Sequence, residues 1–148
     1  MRAVVQRVTS AQVTIADCVT ASIGNGLMVL LGIAVSDTEQ DVEYICDKLL
    51  GLRIFDDKAG VPNLSVCEVG GSILLVSQFT LMGNATKGRR PSYIEAAKPD
   101  LAVPLYQSCI SKLKDRVHLE CGTFRADMQV GLVNDGPFTI LLDSRKAF

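Results

Sequence analysis

Residues 23–51, IGNGLMVLLGIAVSDTEQDVEYICDKLLG, decide the fold. Gly24-Asn25-Gly26 supplies residues that accept positive φ and marks a tight turn. Residues 27–34 are then apolar without alternation, which predicts a central strand covered on both faces. Ser36-Asp37-Thr38-Glu39 has the spacing of a capping box, in which the serine hydroxyl and the glutamate carboxylate satisfy unpaired N–H groups. Val42, Ile45, Leu49 and Leu50 share one helical face as far as Gly51, and such a stripe belongs to a core. A turn, a buried strand and an amphipathic helix in succession place a helix against a sheet.

Working outward, residues 4–8, 12–16 and 19–23 are short runs rich in β-branched residues; in the second, Val13 and Ile15 oppose Gln12 and Thr14. Downstream, residues 52–55 read as a strand, 56–60 as a turn, and Gly70-Gly71 as a turn into a strand over 72–79. Residues 82–91 are polar and form a loop of the kind that carries function. A second helix is expected from Asp100, capping after Pro99, to about residue 116, with Pro104 in or just past its first turn. Leu101, Leu105, Cys109 and Leu113 form its buried stripe. Residues 117–121, 128–133 and 138–142 return to strand, with Asn134-Asp135-Gly136-Pro137 as a turn between the last two. The expectation is one α+β domain over residues 1–148, a mixed or antiparallel, barrel-like sheet with two main helices.

Composition fits this. Of 148 residues, 48% are hydrophobic and 21% charged, near globular averages, and a chain of this size buries roughly 70% of its unfolded surface. No apolar run approaches the roughly 20 residues of a membrane helix, and the start MRAVVQRV has no secretory signal character, so a cytoplasmic protein without membrane contact is expected. Five cysteines without a CxxC pair and a single histidine, His118, argue against a metal site or a disulfide framework. The thiols are expected reduced and mostly buried, and His118, in VHLEC, reads as an edge-strand residue. The net charge of −1 excludes indiscriminate polyanion binding. The halves differ, however: residues 1–74 hold five basic and nine acidic side chains, residues 75–148 ten and seven. Three of those cations fall in Lys87-Gly88-Arg89-Arg90, either a phosphate contact or a solvated turn.

Two segments invite a chemical reading. In Ser77-Gln78-Phe79-Thr80-Leu81 an apolar strand ends in hydroxyl and amide side chains, either an ordinary polar strand end or a cradle whose N–H groups hold an oxyanion. Asn134-Asp135-Gly136-Pro137-Phe138-Thr139 places a proline, which cannot donate to a ladder, between two apolar strands. Taken in this order, with Arg2-Ala-Val-Val-Gln-Arg-Val8 at the start and Phe124-Arg-Ala-Asp-Met-Gln-Val130 between, they make the chain closely resemble the bacterial-type D-aminoacyl-tRNA deacylase (D-tyrosyl-tRNA(Tyr) deacylase) family, essentially end to end.

The resemblance implies a homodimer with active sites at the interface, acting on the ester between a D-amino acid, or glycine on a mischarged tRNA, and the 3′-terminal adenosine of tRNA. It implies no cofactor. A Gly-Pro motif with a cis bond, here Gly136-Pro137, is inserted from one subunit into the pocket of the other. Ser77, Gln78, Phe79 and Thr80 line that pocket, Phe124 and Met128 wall it, and Arg7 orients the Gly-Pro loop. Thr80 as a covalent nucleophile would need a base partner; attack by water assisted by the ribose 2′-OH does not, and it is the favoured route. Two positions depart from the pattern. Arg125 stands where the family usually has a small residue, adding positive charge beside the pocket wall with an RNA contact as one reading, and Phe138 replaces a common valine. The alternatives are a non-catalytic RNA-binding module of the same fold, an editing domain for L-aminoacyl-tRNA, and a serine esterase using Ser77.

Overall fold

The computed structural model describes residues 1–147. In chain order the elements are β1 (Arg2–Ile15), β2 (Cys18–Ile23), β3 (Gly26–Gly32), α1 (Glu39–Gly51), β4 (Phe55–Asp56), β5 (Pro62–Leu64), β6 (Ser72–Ser77), a 3-10 turn (Phe79–Met82), α2 (Pro99–Lys114), β7 (His118–Cys121) and β8 (Gln129–Asp143). β1 runs antiparallel to β8 along one edge and to β3, then β2, along the other. Beyond β3 the sheet becomes parallel, with β6 beside β3 and β7 beside β6, and α1 and α2 lie in the crossovers that parallel neighbours require. The sheet curls until β2 packs against β6 and β7. The expected α+β class, with a barrel-like mixed sheet and two helices, is observed.

β3 is apolar throughout because both its faces are covered. Leu27, Val29 and Leu31 meet Val42, Ile45 and Leu49 of α1 and Leu105, Cys109 and Leu113 of α2. Met28 faces the inside of the curl with Val8, Val13, Ile23, Leu74 and Val76. Among the described residues no helix is long and apolar enough to cross a membrane.

Several local expectations are corrected. Residues 4–8 and 12–15 are parts of one 14-residue strand, and Ala16 belongs to the turn after it; a register break near Val8 interrupts the alternation without ending the strand. The last two strands are likewise one, β8, and residues 134–137 form an excursion from it, not a reversal. Of the strand expected at 52–55 only Phe55 is paired, in a short hairpin with β5 that also takes in Asp56 from the expected turn. α2 starts at Pro99, with Lys98 as N-cap and Asp100 in the first turn. Cys46 and Cys109 are buried, but Cys18 and Cys67 are exposed.

The α1 cap moves by two residues. Asp37 is committed elsewhere, its carboxylate accepting the Met1 ammonium and the Ala34 N–H, each at 2.7 Å, and Glu39 accepts the Ser108 hydroxyl at 2.6 Å. The box therefore forms between Thr38 and Asp41.

Asp41 accepts hydrogen bonds from Ser144 Oγ at 2.6 Å, the Thr38 N–H at 2.8 Å and Arg145 Nε at 3.1 Å. Burial pushes its pKa up, but these bonds outweigh burial and bring it down to about 2. A carboxylate depressed in this way stabilises the fold above about pH 4 and loses that contribution, about 2 kcal/mol, as pH falls towards 2. Asp41→Asn is expected to lower stability by about that amount at pH 7 and to flatten its fall between pH ~4 and ~2. Urea titrations at pH 7 and pH 3 check this, and a variant as stable as wild type at pH 7 would contradict it.

Candidate active site

A cavity of about 380 Å³ opens where β3 and β6 end. Leu31, Ile33 and Val76 form its apolar floor, and Phe124, Met128 and Val130 its far wall. Ser77, Gln78 and Phe79 make one lip, Arg125 and Asp127 another. Five of the nine residues singled out from the sequence, Ser77, Gln78, Phe79, Phe124 and Met128, thus line one space.

The lip is shaped by backbone packing. The Gln78 N–H donates to the Leu31 carbonyl at 2.7 Å, continuing the β3–β6 pairing by one residue. The chain then enters the 3-10 turn, so the strand expected to reach residue 79 stops at Ser77. This turn lies on Gly32: a Cβ there would sit 2.8 Å from Leu81 Cβ and 3.0 Å from the Gln78 carbonyl. The amides of Phe79 and Thr80 open the turn, where helical geometry offers an N–H no acceptor. Tyr106, its phenol pushed well up by burial, donates to the Leu75 carbonyl at 3.0 Å. Its ring packs 5.7 Å from that of Phe124, so α2 sets the far wall.

Thr80, next along the chain from Phe79, is exposed and does not itself line the cavity, and its hydroxyl accepts from the Gln78 side-chain amide. His118 cannot serve it as a base. It pairs in register with Ser72, five residues before Ser77, about 17 Å away along the strand, and its imidazole lies beside Glu120.

Phe124 and Arg125 occupy a turn closed by the Ala126 N–H on the Thr123 carbonyl at 3.2 Å. Arg125 has φ 65°. A positive φ at the third position is the type II pattern that favours glycine, and an L side chain there costs about 1 kcal/mol. This explains why a small residue suits the position.

The other predicted residues form a separate cluster. β8 leaves β1 between Asn134 and Thr139, which pair with Val8 and Gln6, so three extra residues bulge out. The Gly136-Pro137 peptide bond is cis, and both residues are exposed. Arg7, buried beneath, donates from Nε to the Asp135 carbonyl at 3.2 Å, pairs with the Asp135 carboxylate at 2.8 Å and donates to the Ile54 carbonyl at 2.7 Å. Its guanidinium lies 4.3 Å from the Phe138 ring centre. Asn134 Nδ2 donates to the Arg7 carbonyl at 2.8 Å. Within one chain, Gly136 and Pro137 do not line the cavity. Sequence reasoning missed Leu31, Ile33 and Val76, which carry only a core signal, and Gly32 and Tyr106, which act through others.

A family model described as D-Tyr-tRNA(Tyr) deacylase matches residues 4–143. The D-aminoacyl-tRNA deacylase of Kosmotoga olearia is 55% identical over 148 residues, covering 100% of both chains. That of Anaeromyxobacter dehalogenans is 56% identical over 149 residues at the same coverage. Among solved structures, c-Myc DNA Unwinding Element Binding Protein superposes with a TM-score of 0.92 at 41% identity, over 97% of this chain and 98% of that one. A probable eukaryotic D-amino acid tRNA deacylase, at 20% identity over 95% and 97% of the two chains, has a TM-score of 0.82, a likeness of fold.

If Gly32 pins the 3-10 turn, Gly32→Ala should cost about 1–3 kcal/mol as the turn is pushed off β3. Gly51→Ala, where an added methyl meets nothing within 4 Å, should cost nothing or gain up to about 1 kcal/mol. Denaturant unfolding of the pair decides; equal stabilities would remove the pinning contact.

Proposed function

This chain belongs to the D-Tyr-tRNA(Tyr) deacylase family, and from that premise we propose how it works as a D-aminoacyl-tRNA deacylase, a hydrolase of the ester that joins amino acid to tRNA. The substrate is the ester of a D-amino acid, or of glycine, with the 3′-terminal adenosine. The working unit is a cytoplasmic homodimer in which the Gly136-Pro137 loop of one subunit reaches the cavity of its partner.

One observation carries this reading: cavity and loop are each built and held, yet apart. The cavity has an apolar floor and a polar lip, while the loop, fixed from below by Arg7, presents exposed backbone. Main-chain carbonyls at such a tip accept a substrate ammonium without reading its side chain. Fixing the ammonium and the ester carbonyl leaves one direction for Cβ, so a wall on the other side excludes the L enantiomer by steric contact. Glycine has no Cβ and cannot be excluded.

For the chemistry, the Phe79 and Thr80 N–H groups receive the oxyanion. Among the described residues Thr80 has no base as a partner, only the Gln78 amide, which favours water as nucleophile, held by the neighbouring 2′-OH. The serine esterase alternative loses support for the same reason, since His118 lies at the other end of β6. A formed cavity beside unpaired amides supports turnover over an RNA-binding module that has lost it, and the exposed Gly136-Pro137 motif supports D over L editing.

Three measurements test the reading. Purified protein is expected to deacylate D-tyrosyl-tRNA and spare L-tyrosyl-tRNA; loss of neither would favour the binding module, and loss of both would contradict the wall. Thr80→Ala should keep kcat within about tenfold of wild type, because water and not Thr80 attacks, whereas a covalent nucleophile would cost far more. Arg7→Ala frees the loop from its anchor and should raise hydrolysis of L-tyrosyl-tRNA relative to the D form; unchanged discrimination would count against the loop.

A further inference from the structure

Four non-glycine residues have positive φ among the described residues: Ala16, Asp17, Arg125 and Lys146. Ala16 and Asp17 are the two central residues of the β1–β2 hairpin, where the turn that matches strand twist demands positive φ at both. Lys146 lies beyond the last strand, in a turn closed on the Asp143 carbonyl. Arg125 is different. It stands on the lip of the cavity, at the third position of a type II turn that glycine would occupy without strain.

Nothing within the fold repays this strain. The Arg125 side chain is exposed, and no hydrogen bond, ion pair or ring contact holds it among the described residues. Asp127, on the same lip, is not paired with it. The partner in the turn, Phe124, points inward to Tyr106, which leaves the guanidinium as the outward-facing group at the mouth. A side chain kept in a disfavoured backbone conformation at a site, without an internal partner, points to an external one.

We propose that Arg125 binds a backbone phosphate of the RNA 3′ end and so sets which way the substrate enters the cavity. The inference rests on the aminoacyl-tRNA substrate proposed above. An aminoacyl ester on a terminal nucleotide carries two fixed charges, a cationic α-ammonium on one side and an anionic phosphodiester on the other. A guanidinium repels the first and receives the second in its planar fork of donors. Placed on the lip, it directs the nucleotide to its own side and the amino acid away from it. The phosphate is present in every substrate, whereas an acidic amino-acid side chain is present in few, so the constant anion is the assigned ligand.

Arg125→Gly separates this from a structural role, because it relieves the backbone while removing the charge. The variant is expected to melt at or above the wild-type temperature, yet to raise KM for D-tyrosyl-tRNA about three- to tenfold. For binding of uncharged tRNA, the magnitude of the slope of log K against log salt should fall by about 0.7, one single-strand phosphate contact. Arg125→Lys should restore most of that slope. KM and slope equal to wild type in Arg125→Gly would overturn the proposal, as would a defect confined to D-aspartyl- and D-glutamyl-tRNA. The salt slope uses uncharged tRNA, so it decides the role of Arg125 even if the wild type binds tRNA without hydrolysing the ester. If the wild type neither binds nor hydrolyses, both readings fall.

Discussion

The ladder between β1 and β8, which runs from the Arg2–Asp143 pair to the Thr14–Gln129 pair, is the constraint on which the rest depends. Side chains alternate along a strand, so an odd number of extra residues turns every later one to the opposite face. Both strands carry an odd excess at the same place: one residue on β1, between Val8 and Ser10, and three on β8, between Asn134 and Thr139. The two flips match, and paired residues continue to share a face. Before the break Ala3 and Val5 of β1 pack toward the helices; after it Ala11 and Val13 pack inside the curl. The same irregularity that lets the sheet close on itself therefore lifts Gly136 and Pro137 away from it.

The cavity follows from the other half of the sheet. β3, β6 and β7 run with the parallel neighbours β3–β6 and β6–β7, and ligand sites in such sheets open at the carboxyl ends of the strands. Here the floor is what β3 and β6 present as they finish, Leu31, Ile33 and Val76. After β7 the missing side chain of Gly122 leaves room for Met128, whose Sδ would stand 2.7 Å from a Cβ there. The close approach of Met128 to bare backbone brings the far wall over the floor.

Elements whose apolar pattern has one period were legible in the sequence. β3 and both helices were placed within a few residues because their burial is uniform along their length. β1 and β8 were each divided in two, because a register break looks like a strand end when the partner strand is not in view. For the α1 cap, Ser36/Glu39 and Thr38/Asp41 both have capping spacing, and only the tertiary commitments of Asp37 and Glu39 choose the second. At the site, Ser77, Gln78 and Thr80 stand out by their polarity, and Phe79, Phe124 and Met128 by resemblance to a family. Leu31 and Val76 look like any core residue, and the positive φ of Arg125 is a property of the fold around it.

On the proposed reading, most of the groups that meet the substrate are main-chain atoms: amides of Phe79 and Thr80, and carbonyls of the loop carrying Gly136 and Pro137. Such a site places its chemical demand on backbone path instead of on side-chain identity. The path is set by residues that permit close approach, such as Gly32 under the 3-10 turn and Gly122 under Met128, and by anchors such as Arg7. This explains why a search for an acid, a base and a nucleophile finds so little here: Thr80 without a base, and a histidine at the wrong end of its strand. It also explains how an arginine at position 125 is accommodated. Its own backbone pays in strain, but the amides and carbonyls that define the pocket belong to other segments, so a charge can be added at the mouth without altering the geometry within.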